Sequence, residues 1–129
     1  MAYGIAALAD DYDGFVLDTA GVLHDGSAPY PGALDALQHL RSQGKQICLL
    51  TNQARRGDSV SRLLNEIGIG PDLYDHLLTS GELTHQWLLH RPEDWLEELG
   101  TACLHFGPIR DAELIHGLDM EAVDQPYLA

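Results

Sequence analysis

Residues 11–26 read DYDGFVLDTAGVLHDG, and where the first strand ends within them decides the fold. Two acidic motifs compete there. Asp11-Tyr12-Asp13-Gly14 fits the pattern D-x-D-G literally, whereas Asp18-Thr19-Ala20-Gly21 fits it only with Ala20 in the place of the second Asp. Phe15-Val16-Leu17-Asp18 is a compact apolar run that ends in a carboxylate and is followed by Gly21-Val22-Leu23. The run before Asp11 is rich in alanine and has one β-branched residue, a weaker strand signal. Ending the strand at Asp11 would push the best apolar run nearby into a loop. In open α/β sheets ligands bind at the carboxyl ends of strands, so the motif that begins at Asp18 is the one that can do chemistry.

Outward from that strand the segments alternate in type. GVLHDGSAPYPG is a loop rich in turn formers, and ALDALQHLRSQG is a helical pattern with Leu34, Leu37 and Leu40 on one side and Gly44 as its stop. KQICLLTNQ reads as a second buried strand. DSVSRLLNEIGIG reads as a second helix, with Asp58 or Ser59 as N-cap and Gly68 at its end. LLTSGELTHQWLL opens a third helix: Thr79 and Glu82 have capping-box spacing, and Leu83, Trp87 and Leu88 form its packing face. PEDWLEELG is a short helix, TACLHFG a third strand with His105 inside it, and DAELIHGLDMEAVD a weak last helix and loop. Trp87 and Trp95 read as packing residues. Such alternation predicts an α/β fold, a parallel sheet with helices on both faces.

The 129 residues suit one domain, and 45% hydrophobic content is enough for a packed core. The net charge of −13 argues against nucleic acid and anionic membrane surfaces, both of which need a basic face. It is compatible with a divalent cation and a small substrate. Cys48 and Cys103 sit in short apolar runs and read as buried thiols of a reducing, cytoplasmic compartment. The start of the chain has no basic segment of a secretory signal. The seven histidines fall on different segments without zinc-ligand spacing.

Asp18-x-x-Gly21-Val22-Leu23, Gly26, Pro31-Gly32-Ala33 and Leu49-Leu50-Thr51-Asn52, taken together, resemble the haloacid dehalogenase (HAD) superfamily of hydrolases, class IIA. That group hydrolyses phosphate esters of sugars, nucleotides and 4-nitrophenol. The spacing agrees: Pro31 stands 13 positions after Asp18 but 20 after Asp11. Gly21-Val22-Leu23-His24-Asp25-Gly26 and Thr79-Ser80-Gly81-Glu82 resemble a subgroup in which the second motif position is often not Asp. The resemblance implies that Asp18 attacks phosphorus and forms an aspartyl-phosphate. It implies that Mg²⁺ binds Asp18 and the Ala20 carbonyl, and that Thr51, Asn52 and Gly21 hold the phosphate. A carboxylate attacks a phosphate only when a cation screens their repulsion. Ala20 cannot supply the proton transfer that the second Asp performs, work worth about 10²–10⁴ in rate. His24 and Asp25, just after the motif, are the candidates to replace it, unless they are ordinary turn residues. Arg55 and Arg56 either attract an anionic substrate or are surface charges.

The chain departs from the family in two further ways. Its single lysine, Lys45, precedes Thr51, where the family's lysine comes later. No strand ending in an acidic pair follows residue 107; Asp111, Asp119 and Asp124 lie in weakly patterned sequence. The expectation is therefore a partial HAD, Rossmann-like core over residues 1–129, ending about where the cap domain would begin. Phe15–Asp18 would then form an exposed apolar edge that favours self-association. The expected function is a Mg²⁺-dependent phosphatase of small phosphate monoesters, incomplete or weakly active in this chain. The alternatives are a non-catalytic relative that binds phosphate or a partner, and an unrelated flavodoxin-like binding domain.

Overall fold

The computed structural model describes residues 4–123; Asp124, one of the acids weighed above, lies outside them. The apolar run of the opening stretch forms β1 (Gly14–Leu17), and Asp18 follows its carboxyl end. Next come α1 (Ala33–Ser42), β2 (Gln46–Thr51), α2 (Gly57–Glu66), β3 (His76–Thr79) and α3 (Ser80–His90). The three strands make one parallel sheet in the order β1-β2-β3. Leu17 lies beside Leu49, and Thr51 beside Thr79. The fold is the α/β parallel sheet with flanking helices that the alternation predicted, with the two crossover helices α1 and α2 on one of its faces. Asp11 closes a short 3-10 turn, Ala9–Asp11, ahead of β1. The literal D-x-D-G thus sits at the amino end of the strand, away from where such sheets bind ligands.

Alternation along the strands decides the core. Ile47 and Leu49 of β2 are fully buried with Leu37 and Leu40 of α1 and Val60 and Leu64 of α2, and Phe15 and Leu17 lean on the same cluster. Both crossover helices therefore cover one face of the sheet. The opposite row is far barer: Val16 is 68% exposed, Leu50 46% and Leu78 37%. Among the described residues β1 pairs with β2 alone, which leaves its other edge open.

Gly44 ends α1 as expected. It takes a φ of +68°, and Lys45 N–H donates to the Leu40 carbonyl at 3.0 Å, a closure that glycine makes without Cβ strain. The start of α2 differs from expectation. Arg56 is the N-cap, not Asp58 or Ser59. The reason is tertiary: two distant carboxylates occupy the first turn. Gly57 N–H donates to Glu82 Oε2 at 3.1 Å, and Arg56 N–H to Glu113 Oε1 at 3.0 Å.

Five further expectations need correction. The third strand of the sheet is His76–Thr79, which the sequence reading had placed at the start of a helix. TACLHFG contributes only β4 (Ala102–Cys103), paired in a separate two-stranded sheet with β5 (Glu121–Ala122), and His105 is exposed. A four-residue strand shows too little periodicity to be told from a helix start; the edge of β2 recruits it. The buried face of α3 is Gly81 and His85, whereas Leu83 and Trp87 remain 43% and 39% exposed. Trp87 does pack on Trp95 of α4 (Asp94–Glu97), with ring centroids 6.5 Å apart. Cys48 and Cys103 are free but only half-buried. The expected last helix is the 3-10 segment Ile109–Ile115.

Thr79 caps α3 as the capping box requires, accepting from Glu82 N–H at 2.8 Å. Gly81 in the first turn has a different cause. A Cβ there would stand 2.1 Å from the Ala54 carbonyl oxygen, a backbone atom that cannot swing aside. Gly81→Ala is expected to destabilise the chain by about 3 kcal/mol, the upper range for overpacking, read as a lowered urea midpoint. An unchanged midpoint would show that the 53–55 loop yields freely.

Candidate functional site

The backbone after β1 folds back on itself immediately. Asp18 is exposed, and its Oδ1 accepts Thr19 N–H at 2.8 Å. The Thr19 carbonyl accepts from Val22 and Leu23 at 3.2 and 2.8 Å, while Gly21 N–H donates to the His24 carbonyl at 2.8 Å. Gly21 has a φ of +81°, the left-handed conformation that this tight return needs. Residues 18–24 thus form a small knot at the carboxyl end of the strand, with Asp18 and Ala20 on its outside.

His24 and Asp25 are not free turn residues. His24 is only 2% exposed. Its Nδ1 accepts Gly26 N–H at 3.0 Å, so in the neutral ring the proton sits on Nε2. That Nε2 is buried without a partner among the described residues, as is the hydroxyl of Thr19. Asp25 is exposed, and its Oδ1 accepts Ser27 and Ala28 N–H, both at 2.8 Å. The Ala28 and Ser27 amides hold the Asp25 carboxyl below the usual carboxylate range, which favours the ionised form and weakens a role as proton donor. Asp25 shapes the loop, and His24 anchors it from beneath.

The second strand brings its own polar end. Thr51 closes β2 and is 4% exposed, whereas Asn52 is exposed. Because β1 and β2 are parallel neighbours in register, Asp18 and Thr51–Asn52 share one end of the sheet. The loop that follows is clamped by Thr79-Ser80-Gly81. Thr79 Oγ1 donates to the Arg55 carbonyl at 2.7 Å; Ser80 Oγ and Gly81 N–H donate to the Gln53 carbonyl at 2.9 and 2.8 Å. The sequence alone shows a capping box and a subgroup resemblance here, but not this clamp on the loop after β2. A glycine inside the first helical turn was the signal of a close backbone approach.

The electrostatics separate the two arginines. Arg56 pairs with Glu82 through Nε at 2.7 Å, and Glu82 also accepts from Gln86 at 2.9 Å. Chiefly the Arg56 guanidinium holds the Glu82 carboxyl down to about 2. Glu113 behaves similarly. Burial pushes its carboxyl up, but the Ser59 hydroxyl, the Arg56 amide and the charges of Arg55 and Arg62 outweigh that and hold it low. His85 Nδ1 meets the Leu114 carbonyl at 2.6 Å, which further ties α3 to the 109–115 segment. Arg56 is therefore structural, while Arg55 has no ion-pair partner within salt-bridge distance among the described residues.

As a cation site the motif offers oxygens only. The Asp18 carboxylate is exposed, and no backbone hydrogen bond among the described residues ends on the Ala20 carbonyl. Hard oxygen donors suit Mg²⁺, which keeps several of its waters. Among the described residues no group of three or more His, Cys, Asp or Glu side chains could hold a metal, so within them the motif offers at most part of a metal's oxygen shell. No helix among them is long and apolar enough to cross a membrane.

Comparison with known proteins fits this geometry. Residues 15–121 match the haloacid dehalogenase-like hydrolase family. A stretch of 65 residues is 40% identical to a 4-nitrophenylphosphatase of Schizosaccharomyces pombe, covering 50% of this chain and 22% of that protein. The crystal structure of a hydrolase of the haloacid dehalogenase-like family from Brucella suis 1330 aligns with a TM-score of 0.81 at 31% identity. That alignment covers 97% of this chain and 45% of the other. The chain thus spans less than half the length of either relative.

The depressed Glu82 carboxyl makes a stability prediction. Its folded value lies below the ordinary 4.5, so its contribution is complete above about pH 5 and fades as pH falls toward 2. Glu82→Gln should cost about 2 kcal/mol at pH 7, given a side chain 23% exposed, and progressively less in acid. Thermal midpoints of both proteins between pH 7 and pH 3 check it. A gap independent of pH would remove the ion pair as its cause.

Proposed function

Because the chain belongs to the haloacid dehalogenase-like hydrolases, we propose that it carries the nucleophile and phosphate-binding portion of a Mg²⁺-dependent phosphatase for small phosphate monoesters. One observation carries the reading: the exposed Asp18 and the Thr51–Asn52 pair stand together at the carboxyl ends of adjacent parallel strands. Asp18 attacks phosphorus, the ester oxygen departs, and water then cleaves the aspartyl-phosphate to release inorganic phosphate. The Thr51 hydroxyl and the Asn52 amide orient the phosphoryl oxygens, whereas the Gly21 N–H is already engaged by the His24 carbonyl and does not join them. The Asp18 carboxylate and the Ala20 carbonyl would hold Mg²⁺, which when bound would supply charge screening between the carboxylate and the phosphate.

The proton for the leaving group is the weak step. Ala20 has none to give, and Asp25 is committed to its turn. His24, with an unpartnered Nε2 beneath the loop, is the better candidate, provided the loop shifts to expose it. Without a well-placed acid the rate depends steeply on how well the leaving group bears negative charge. A second reading, a non-catalytic relative that binds phosphate or a partner, is favoured by Ala20 and by the partial metal shell. Two free thiols accord with a reducing, cytoplasmic setting.

The chain is expected to release phosphate from 4-nitrophenyl phosphate at least tenfold faster than from an alkyl phosphate, a leaving-group effect of general acid loss. Asp18→Asn should abolish both activities. Equal rates in wild type and mutant would remove Asp18 from the mechanism. Phosphate that binds near Thr51 without turnover would establish the non-catalytic reading.

The open β1 edge and the bare Val16, Leu50 and Leu78 row support self-association. Sizing chromatography should show a concentration-dependent dimer that Val16→Lys shifts to monomer. A wild-type chain that stays monomeric at high concentration would dismiss that expectation.

A further inference from the structure

The segment just past Thr51–Asn52 holds a feature that the phosphatase reading does not use. Between α2 and the 109–115 segment lie two adjoining cavities of about 460 and 300 Å³, which share Arg55 and Leu63. Arg110 lines the first and Arg62 the second. In a chain with seven Lys and Arg against twenty Asp and Glu, three cations meet here. Other arginines are taken elsewhere: Arg41 by Asp75, Arg56 by Glu82, and Arg91 by the Leu96 and Glu97 carbonyls.

The acids that face this cleft are accounted for. Glu113 is engaged by Arg56 N–H and the Ser59 hydroxyl. Asp111 stands 3.7 Å from the exposed Arg110. Glu66 lies exposed at the end of α2. Arg55 is the unmatched group, because its Nε is buried without a hydrogen-bond partner among the described residues. A buried donor of a charged group left without an acceptor is strongly unfavourable, and an oxyanion is its natural acceptor.

Position links the cleft to the reaction. Gln53, which lines it, is two residues beyond Thr51. At about 3.8 Å per residue, the two Cα atoms are no more than about 7.6 Å apart. A small ester with phosphate at Thr51 and a second anionic group can span that gap.

We propose that Arg55, with Arg62 and Arg110, forms a subsite for a second oxyanion on the substrate, so that the preferred monoesters are dianionic at one end and carboxylated or phosphorylated at the other. The subsite rests on the phosphatase reading for its place in the reaction. It explains why one arginine of the Arg55–Arg56 pair is locked into the fold and its neighbour is not.

The test uses phenyl phosphate, 4-carboxyphenyl phosphate and 1,4-phenylene bisphosphate as ligands of the ¹⁵N-labelled 129-residue chain. Binding is followed at the Thr51 and Asn52 amides and at the arginine Nε–H signals. The two doubly anionic ligands should bind about tenfold more tightly than phenyl phosphate, the scale of one charge-assisted contact, and should shift the Arg55 Nε–H. Their relative strength tells carboxylate from phosphate. Arg55→Gln and, separately, Arg110→Gln should erase the advantage and leave phenyl phosphate binding unchanged. Equal affinities in the wild type, or an advantage that survives both substitutions, overturn the subsite; shifts at Thr51 and Asn52 would then leave the phosphatase reading standing. Shifts at Arg55 with none at Thr51 or Asn52 would keep the anion site and sink the phosphatase reading. No shift with any ligand rejects both.

Discussion

The close packing of Gly81 against the backbone of Ala54 governs the end of the sheet where ligands would bind. A side chain at that position would overlap the Ala54 carbonyl, so only glycine lets α3 start directly beneath the loop that leaves β2. With that approach made, Thr79, Ser80 and Gly81 satisfy the carbonyls of Gln53 and Arg55. Loop carbonyls that would otherwise need water become part of the scaffold. Thr51 and Asn52 are then held from both sides, by β2 behind and by the clamped loop ahead. The proposed phosphate site would depend on such pre-organisation, since its donors must be in place before the ligand arrives.

Charge reinforces the same joint. Glu82 and Glu113 reach the first turn of α2 from sites 25 and 57 residues away from their amide donors. Each brings negative charge to the positive end of the helix, and Glu82 also neutralises Arg56. In a chain this acidic the arrangement has a selective effect. Carboxylates tie Arg56 into the framework, while Arg55 lines the neighbouring cavities without an ion-pair partner within salt-bridge distance among the described residues. Among the described residues the Arg55 Nε is buried without a hydrogen-bond partner, which is the observation the proposed anion subsite rests on.

The sheet itself is lopsided. Its helix-covered face has a dense core of Leu37, Leu40, Ile47, Leu49, Val60 and Leu64, none of them measurably exposed. The reverse face leaves Val16 and Leu50 in contact with solvent. The difference follows from topology: two right-handed crossovers that move in the same direction place both helices on one side. The Brucella suis relative is more than twice as long as the portion that aligns with this chain. The bare face and the open β1 edge are where a second polypeptide surface gains most from contact, since apolar burial there is not yet made.

The local chemistry of the chain was legible without coordinates. An apolar run ending at Asp18 marked the first strand and ruled out Asp11; Leu37 and Leu40 marked the buried side of α1, and Gly44 its end. These readings rest on periodicity and backbone sterics, which act over a few residues. What the tertiary structure decided lies at longer range. His76–Thr79 is a strand because β2 offers it an edge, and TACLHFG is not its equivalent because it pairs elsewhere. Arg56 starts α2 because carboxylates from α3 and the 109–115 segment supply the acceptors that Asp58 or Ser59 would have provided. His24 is buried while the neighbouring Asp25 is exposed, although both occupy one turn. Hydrogen bonds and burial between distant segments carry no local pattern, so only the folded chain could show that Arg56 is held by Glu82 while Arg55 has no such partner among the described residues.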